Sequence, residues 1–375
     1  MKRMLLVIPL GLLGWACSRD DSRSGSPDAP YDDGRDAPIG ASPIDLLVVV
    51  HTNYSMQAYM LELAQAIPRE IVAPLVERGF DLRAGILSSD LGGAGIVLPN
   101  PGTWCGSPCD RADGTTSSDD GHLLTRPDCW RDGPAAVDWD RADCAAFPHP
   151  SEAYPAYLVG SDAGFADWFS CLTVRRDGCV IPQPLESLWR ALEDGSIGGF
   201  LRGNSLLVIV ILADADDCSV EDARVLADGG DVQPVGYSGK CAYRQEYLHP
   251  VSRYVDRLLA LRPADRLLVA AFGGAPQDYS WCVPGEPPTF SCGECVLDRP
   301  CLLHVDCVAS GITTTVAPAP RLRDFAEGLG MTADGSSVGY SWGSCTLLPG
   351  AGGPPSSEAW ATFRAAILNR LGLGG

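Results

Sequence analysis

The chain has 375 residues, with 47 acidic side chains against 28 basic ones and a formal charge of −19. That sign argues against nucleic acid or anionic lipid headgroups as partners held by charge. Fifteen cysteines argue equally against a reducing cytosol, where such a number of thiols finds no stable use.

At the start, Lys2 and Arg3 precede an apolar run from Met4 to Leu13, with small residues before Cys17. This is the layout of a secretory signal. It is too short to cross a bilayer, which takes about 20 apolar residues, and no later segment reaches that length without charge or Pro. Loss of Lys2 and Arg3 with the signal takes the charge from −19 to −21. The run Leu12-Leu13-Gly14-Trp15-Ala16-Cys17 resembles the lipobox of bacterial lipoproteins, although Gly14 stands where that family usually has Leu. The resemblance implies a lipid on Cys17 and, with Ser18 following it, sorting to the outer membrane.

With Cys17 reserved for lipid, fourteen of the fifteen cysteines remain, enough for seven bridges. Cys171 and Cys179 flank a short polar turn and make a reasonable local pair, and Cys105 with Cys109 is a second guess. Cys218 and Cys241 are further candidates, as are Cys292 and Cys295, but pairing is not legible from sequence. Cys292, Cys295, Cys301, His304 and Cys307 also have ligand-like spacings for zinc. Export favours disulfides.

Residues 18–42 are rich in Asp, Ser, Gly, Pro and Arg and nearly without large apolar groups, so they cannot bury enough surface to fold. They read as a tether, holding the rest of the chain roughly 25–30 Å from the lipid. Residues 43–375 read as one elaborated domain. Ile44 to Val50, Leu82 to Leu87, Leu206 to Leu212 and Leu267 to Phe272 are continuous apolar runs of strand length. Helical patterns lie between them: Met56 to Arg78, interrupted by Pro68 and Pro74; Pro184 to Glu193; and His249 to Leu261. Arg321 to Leu329 and Glu358 to Leu371 are helical too. This alternation predicts an α/β fold with a doubly wound, mostly parallel sheet and ligands at the carboxyl ends of its strands. The Cys-rich insertions at about 100–150 and 276–316 are too long for bare loops and need disulfides to hold shape.

The segment Ile44 to Met56, with its strand running into His51-Thr52-Asn53-Tyr54-Ser55-Met56, resembles the first strand and loop of von Willebrand factor type A domains. The likeness extends through Asp81 to Gly92, Gly178 to Leu192, His249 to Asp256, and Leu206 to Ser219. The last of these is similar to the strand ending in Thr-Asp-Glu-Asp-Asp-Cys-Ser in cysteine-rich bacterial members. The resemblance implies a Rossmann-like type A fold, and places the family's metal-ion-dependent adhesion site on His51, Asn53, Ser55 and Asp214, with a Thr expected near Val180 to Pro182. Only Ser55 and Asp214 keep the family pattern. An imidazole in place of the first carboxylate should weaken Mg²⁺ severely, because that ion wants hard oxygens in octahedral array.

Other readings of the same residues stand beside this one. Asn53 or Ser55 can cap the helix beginning near Met56. Asp214, Asp216 and Asp217, with Glu221 and Asp222, could attract Ca²⁺, or form an acidic turn closed by a Cys218 disulfide; Ser219 stands where an EF-hand loop needs Gly. Gly339-Tyr340-Ser341-Trp342-Gly343 satisfies the Gly-x-Ser-x-Gly pattern, but Ser-Cys-Thr-Leu-Leu-Pro-Gly rather than a helix directly follows it and no His lies after residue 304, against the order of a hydrolase triad. No His-Glu-x-x-His, phosphate-binding Gly-Lys loop or dinucleotide fingerprint occurs.

The expectation is an envelope lipoprotein that binds a protein or glycan through a strand-end face of His51, Asn53, Ser55, Asp214, Asp216 and Asp217. It is not expected to catalyse, and Mg²⁺ or Ca²⁺ at Ser55 and Asp214 would be weak. A metal-dependent or hydrolytic enzyme using the Asp214 cluster or the Cys-rich insertion, and a purely structural envelope protein, are the alternatives.

Overall fold

A computed structural model describes residues 43–91, 120–124, 157–174, 181–193, 197, 199–225, 237–274, 278–279, 305–309, 312–347 and 356–373. The signal, Cys17, the tether, Cys105, Cys109, Cys179, Cys292 and Cys295 lie outside these residues, as does most of both Cys-rich insertions.

The apolar runs become the centre of a sheet. Strands β1 (Ile44–Val50), β2 (Leu82–Ser88), β4 (Leu206–Ala213) and β5 (Leu267–Gly273) are buried along their whole lengths. Each must be apolar on both faces, since helices cover both. Two short strands, β3 (Leu158–Val159) and β8 (Gly339–Trp342), finish a six-stranded sheet of order β3-β2-β1-β4-β5-β8. All neighbours are parallel except β3, which is antiparallel to β2. A separate antiparallel pair, β6 (Val305–Ala309) and β7 (Ile312–Val316), lies within the second Cys-rich stretch. The whole is an α/β fold with a mixed, mostly parallel sheet and flanking helices.

The strands divide their side chains by the two-residue period. Leu46, Val48 and Val50, with Val208 and Val210, meet helices α1 (Gln57–Ala66), α3 (Phe165–Thr173) and α8 (Ser356–Arg370) through Leu63, Phe169, Trp360 and Phe363. Leu47, Val49, Ile209 and Ile211 face the other way, onto α4 (Pro184–Glu193), α6 (Val251–Leu261) and α7 (Pro320–Gly328). Burying each such chain contributes roughly 1.5–3 kcal/mol.

The prolines after α1 do not stop the helix as their rule suggests. Pro68 lacks the N–H for an ordinary helical bond, and Ile67–Val72 forms a π-turn in which Ala73 N–H bonds Pro68 O. The extra residue brings Pro74 into the first turn of α2 (Ala73–Val76), where a missing N–H costs nothing.

The amino end of the sheet is fixed by one arginine. Arg202 donates from Nε to Asp45 Oδ1 at 2.8 Å and from its backbone N–H to Oδ2 at 2.7 Å, and it pairs with Asp81. Burial pushes the Asp45 carboxyl up against the opposing pull of Arg202. At the sheet's edge, Gly339 is required by packing, since a Cβ there would stand 1.9 Å from Ala326 O of α7. The Gly-x-Ser-x-Gly pattern therefore has a structural cause. Its Ser341 lies in edge strand β8, and the strand leads into a short 3₁₀ turn, Ser344–Leu347.

Among the described residues, no helix is long and apolar enough to cross a membrane.

Candidate functional site

The chain runs from β1 outward to β2 and later returns to lay β4 on the other side of β1. Such a reversal leaves a crevice at the carboxyl ends, because the connections leave in opposite directions there. The residues beside it are His51, which follows β1, and Asp214, which follows β4. Parallel pairing sets Val50 opposite both Ser88 and Leu212, so His51 follows in line with Ser89 and Ala213, and Asp214 lies one residue further along.

His51 is 1% exposed and lies between neighbours from both adjacent strands. Its Nδ1 is 2.8 Å from Ser89 Oγ, just past β2, and hydrogen-bonded to it. Its Nε2 is 3.9 Å from Asp214 Oδ1, beyond hydrogen-bond length. Burial lowers the imidazole pKa, while the Asp214 carboxylate draws it up. Ser89 is itself fully buried. Sequence reasoning passed over Ser89, although Ser88-Ser89-Asp90 directly follows an apolar strand and so reaches the same end of the sheet.

Asn53 and Ser55 belong to the loop that follows His51. Asn53 is half-buried and Ser55 exposed, and a backbone bond from Met56 N–H to Asn53 O, at 3.0 Å, shapes the turn. Capping of α1 from this loop does not occur at its first position: Met56 is the N-cap residue and has no side-chain cap. The buried Thr52 hydroxyl in the same loop has no hydrogen-bond partner among the described residues.

The two carboxylates beyond Asp214 have other work, and both hold helix starts. Asp216 accepts from the backbone N–H groups of Arg321 and Leu322, each at 3.1 Å, at the first turn of α7. The hydroxyl of Tyr279 donates to it as well. Burial pushes the Asp216 carboxyl up to about 7, against the lowering pull of Tyr279 and Arg321. Asp217 accepts Leu185 N–H at 3.1 Å and the Ser219 hydroxyl at 2.7 Å, while Ser219 Oγ accepts Glu186 N–H at 2.9 Å. Together they satisfy the free donors at the start of α4. The other oxygen of Asp217 pairs with Arg321 Nη2 at 3.0 Å, both side chains being buried. Arg321 also donates to the backbone oxygens of Asp217 and His249. Nothing in the sequence marked Arg321, which sits in a helix pattern as any solvent-facing arginine would.

The acidic turn is closed covalently. Cys218 and Cys241 are bridged, with Cα atoms 5.5 Å apart, and Cys241 lies in a short helix, α5 (Tyr237–Tyr243). Cys171 is disulfide-bonded as well. Among the described residues, no three His, Cys, Asp or Glu side chains come together as a metal-holding group. No protein-family model matches the chain, and no curated protein matches it.

Proposed function

We propose that the chain is a type A-like binding module of the bacterial envelope, anchored through Cys17, that holds a protein or glycan partner on its strand-end face without catalysis. The observation that carries this reading is the chain reversal between β1 and β4, with the His51 and Asp214 side chains at the crevice it opens. The strand order, the single antiparallel edge strand and the loop after β1 support the type A likeness. Fold likeness alone does not name a function, so the site must carry it.

Ser89, His51 and Asp214 stand in the order of a nucleophile, base and orienting acid. Burial of both Ser89 and His51 and the 3.9 Å gap to Asp214 speak against that use, since a nucleophile must meet its substrate. Nor do these residues fit Mg²⁺, which keeps several waters in an octahedral oxygen shell. Here a buried imidazole stands beside Asp214. The side chain most open to a partner is the exposed Ser55.

The test is capture from envelope extracts by the full mature chain in detergent, with Ser55→Arg as the control. A saturable partner whose affinity falls at least tenfold with Ser55→Arg is expected. No saturable partner, or one indifferent to Ser55→Arg, would refute binding through this face.

A further inference from the structure

We infer that the imidazole of His51 occupies the place of a cation at the crevice between β1 and β4, so that this face is complete without metal and one exchange, His51→Asp, opens it to divalent ions. This deepens the reading of the face as a binding surface. Its test reads cation binding alone, so it can fail while partner binding stands.

The geometry begins with the sheet. Adjacent strands run about 4.8 Å apart, so Ser89, His51 and Asp214, the residues just past β2, β1 and β4, are neighbours at one end of the sheet, with Asp214 one residue beyond the position in register with His51. The ring of His51 fills the middle position, held by Ser89 on one side and facing Asp214 on the other at 3.9 Å. An ion bonded to Asp214 Oδ1 would sit about 2.1 Å from that oxygen, directly against the ring edge. With His51 1% exposed, the ring also shuts out the waters that a hard ion retains. In the tautomer in which Ser89 donates to Nδ1, the ring turns Nε2–H toward the carboxylate. Asp214 then faces the positive end of a fixed dipole, which serves in place of an ion's charge.

The loop that continues from His51 carries further oxygen side chains. Thr52 has a buried hydroxyl with no partner among the described residues, and Asn53 and Ser55 come next on the same loop. Replacing the imidazole by a shorter carboxylate would empty the middle position and set two carboxylates on neighbouring strand ends. Two such groups out of water require a proton or a cation between them. Asp with Asp214, a hydroxyl and retained waters is the donor set that Mg²⁺ or Mn²⁺ takes.

The experiment is a titration of the full mature chain with MgCl₂ and MnCl₂, followed by calorimetry and by the electron spin resonance signal of free Mn²⁺. Wild type should show no saturable site. His51→Asp should take up one equivalent with Kd below about 1 mM, and His51→Asp with Asp214→Asn should lose it. One saturable Mn²⁺ in wild type that Asp214→Asn removes would overturn the inference. So would a His51→Asp chain, folded by circular dichroism, that binds no Mn²⁺. If His51→Asp does not fold in either the presence or absence of Mg²⁺, the wild-type titration decides alone: a saturable site abolished by Asp214→Asn refutes the inference, and none supports it.

Discussion

The pairing of Asp217 with Arg321 offers the sharpest test of how the strand-end loops are built. Asp217→Asn keeps an oxygen for Leu185 N–H but leaves the Arg321 guanidinium, 8% exposed, without its ion-pair partner and with only the pull of Asp216. Breaking one side of a buried pair costs about 3–5 kcal/mol, and because Arg321 keeps two backbone acceptors the lower figure, about 3 kcal/mol, is expected. Arg321→Met strands Asp217 in turn, again at about 3 kcal/mol, since three neutral donors still reach that carboxylate. Removing both charges together leaves neither stranded. The double variant should therefore cost about 3–4 kcal/mol rather than the sum, a coupling of about 2–3 kcal/mol. Against a total stability of about 5–15 kcal/mol, these changes are readily measured by urea unfolding of the oxidised protein at pH 7, followed by tryptophan fluorescence. Additivity within about 0.5 kcal/mol, or a single variant costing under about 1 kcal/mol, would show that the pair does not hold the two helix starts as argued.

Two further outcomes concern the same region. The Asp216 carboxyl is raised in the fold from its ordinary 3.8 to about 7, so the folded state holds the proton more tightly. Its contribution is then fully present below about pH 4 and is lost as pH rises through 7, at no more than about 1.4 kcal/mol per unit. Asp216→Asn should accordingly gain on wild type between pH 4.5 and 7.5 in urea unfolding, and a difference that does not change with pH would contradict the assignment. Gly339→Ala should cost about 3 kcal/mol by forcing α7 away from β8; a loss below about 1 kcal/mol, read from the urea midpoint, would mean the helix backbone yields more easily than its packing implies.

Much of the frame is written locally. The run Ile44 to Val50 is continuous because β1 is covered by helices on both faces, and its length alone separates it from a helix. Pro184 to Glu193 carries its own start signal in Pro184, and both its predicted ends agree with α4. Where tertiary contacts decide, local reading fails. Strand β3 is only two residues long, and β8 is built from Gly339 to Trp342, a stretch whose apolar pattern is weak because it lies at the sheet's edge. Pro68 breaks a helix by local rule, yet the π-turn accommodates it. The same divide runs through the site. His51 and Asp214 were legible as strand-end residues, whereas Ser89 and Arg321 became partners only through contacts 38 and 104 residues distant.

The three aspartates after β4 show why composition misleads about such a face. An acidic run in an acidic chain reads as one cluster able to gather a cation. Folding separates its members: Asp216 turns to α7, Asp217 turns to α4 and Arg321, and Asp214 remains beside His51. The helix starts supply backbone N–H groups, the positive ends of their dipoles, so both carboxylates find donors within the fold, although burial still pushes Asp216 up. The Cys218–Cys241 bridge then fixes the turn that aims them. On the proposed type A-like reading a metal would be expected at this point, and two helix caps, an arginine and a disulfide hold the neighbouring loops. On that reading the residues at His51 and Asn53 can depart from the family's ligands without loosening the helix starts, because Asp216, Asp217 and Arg321 hold those.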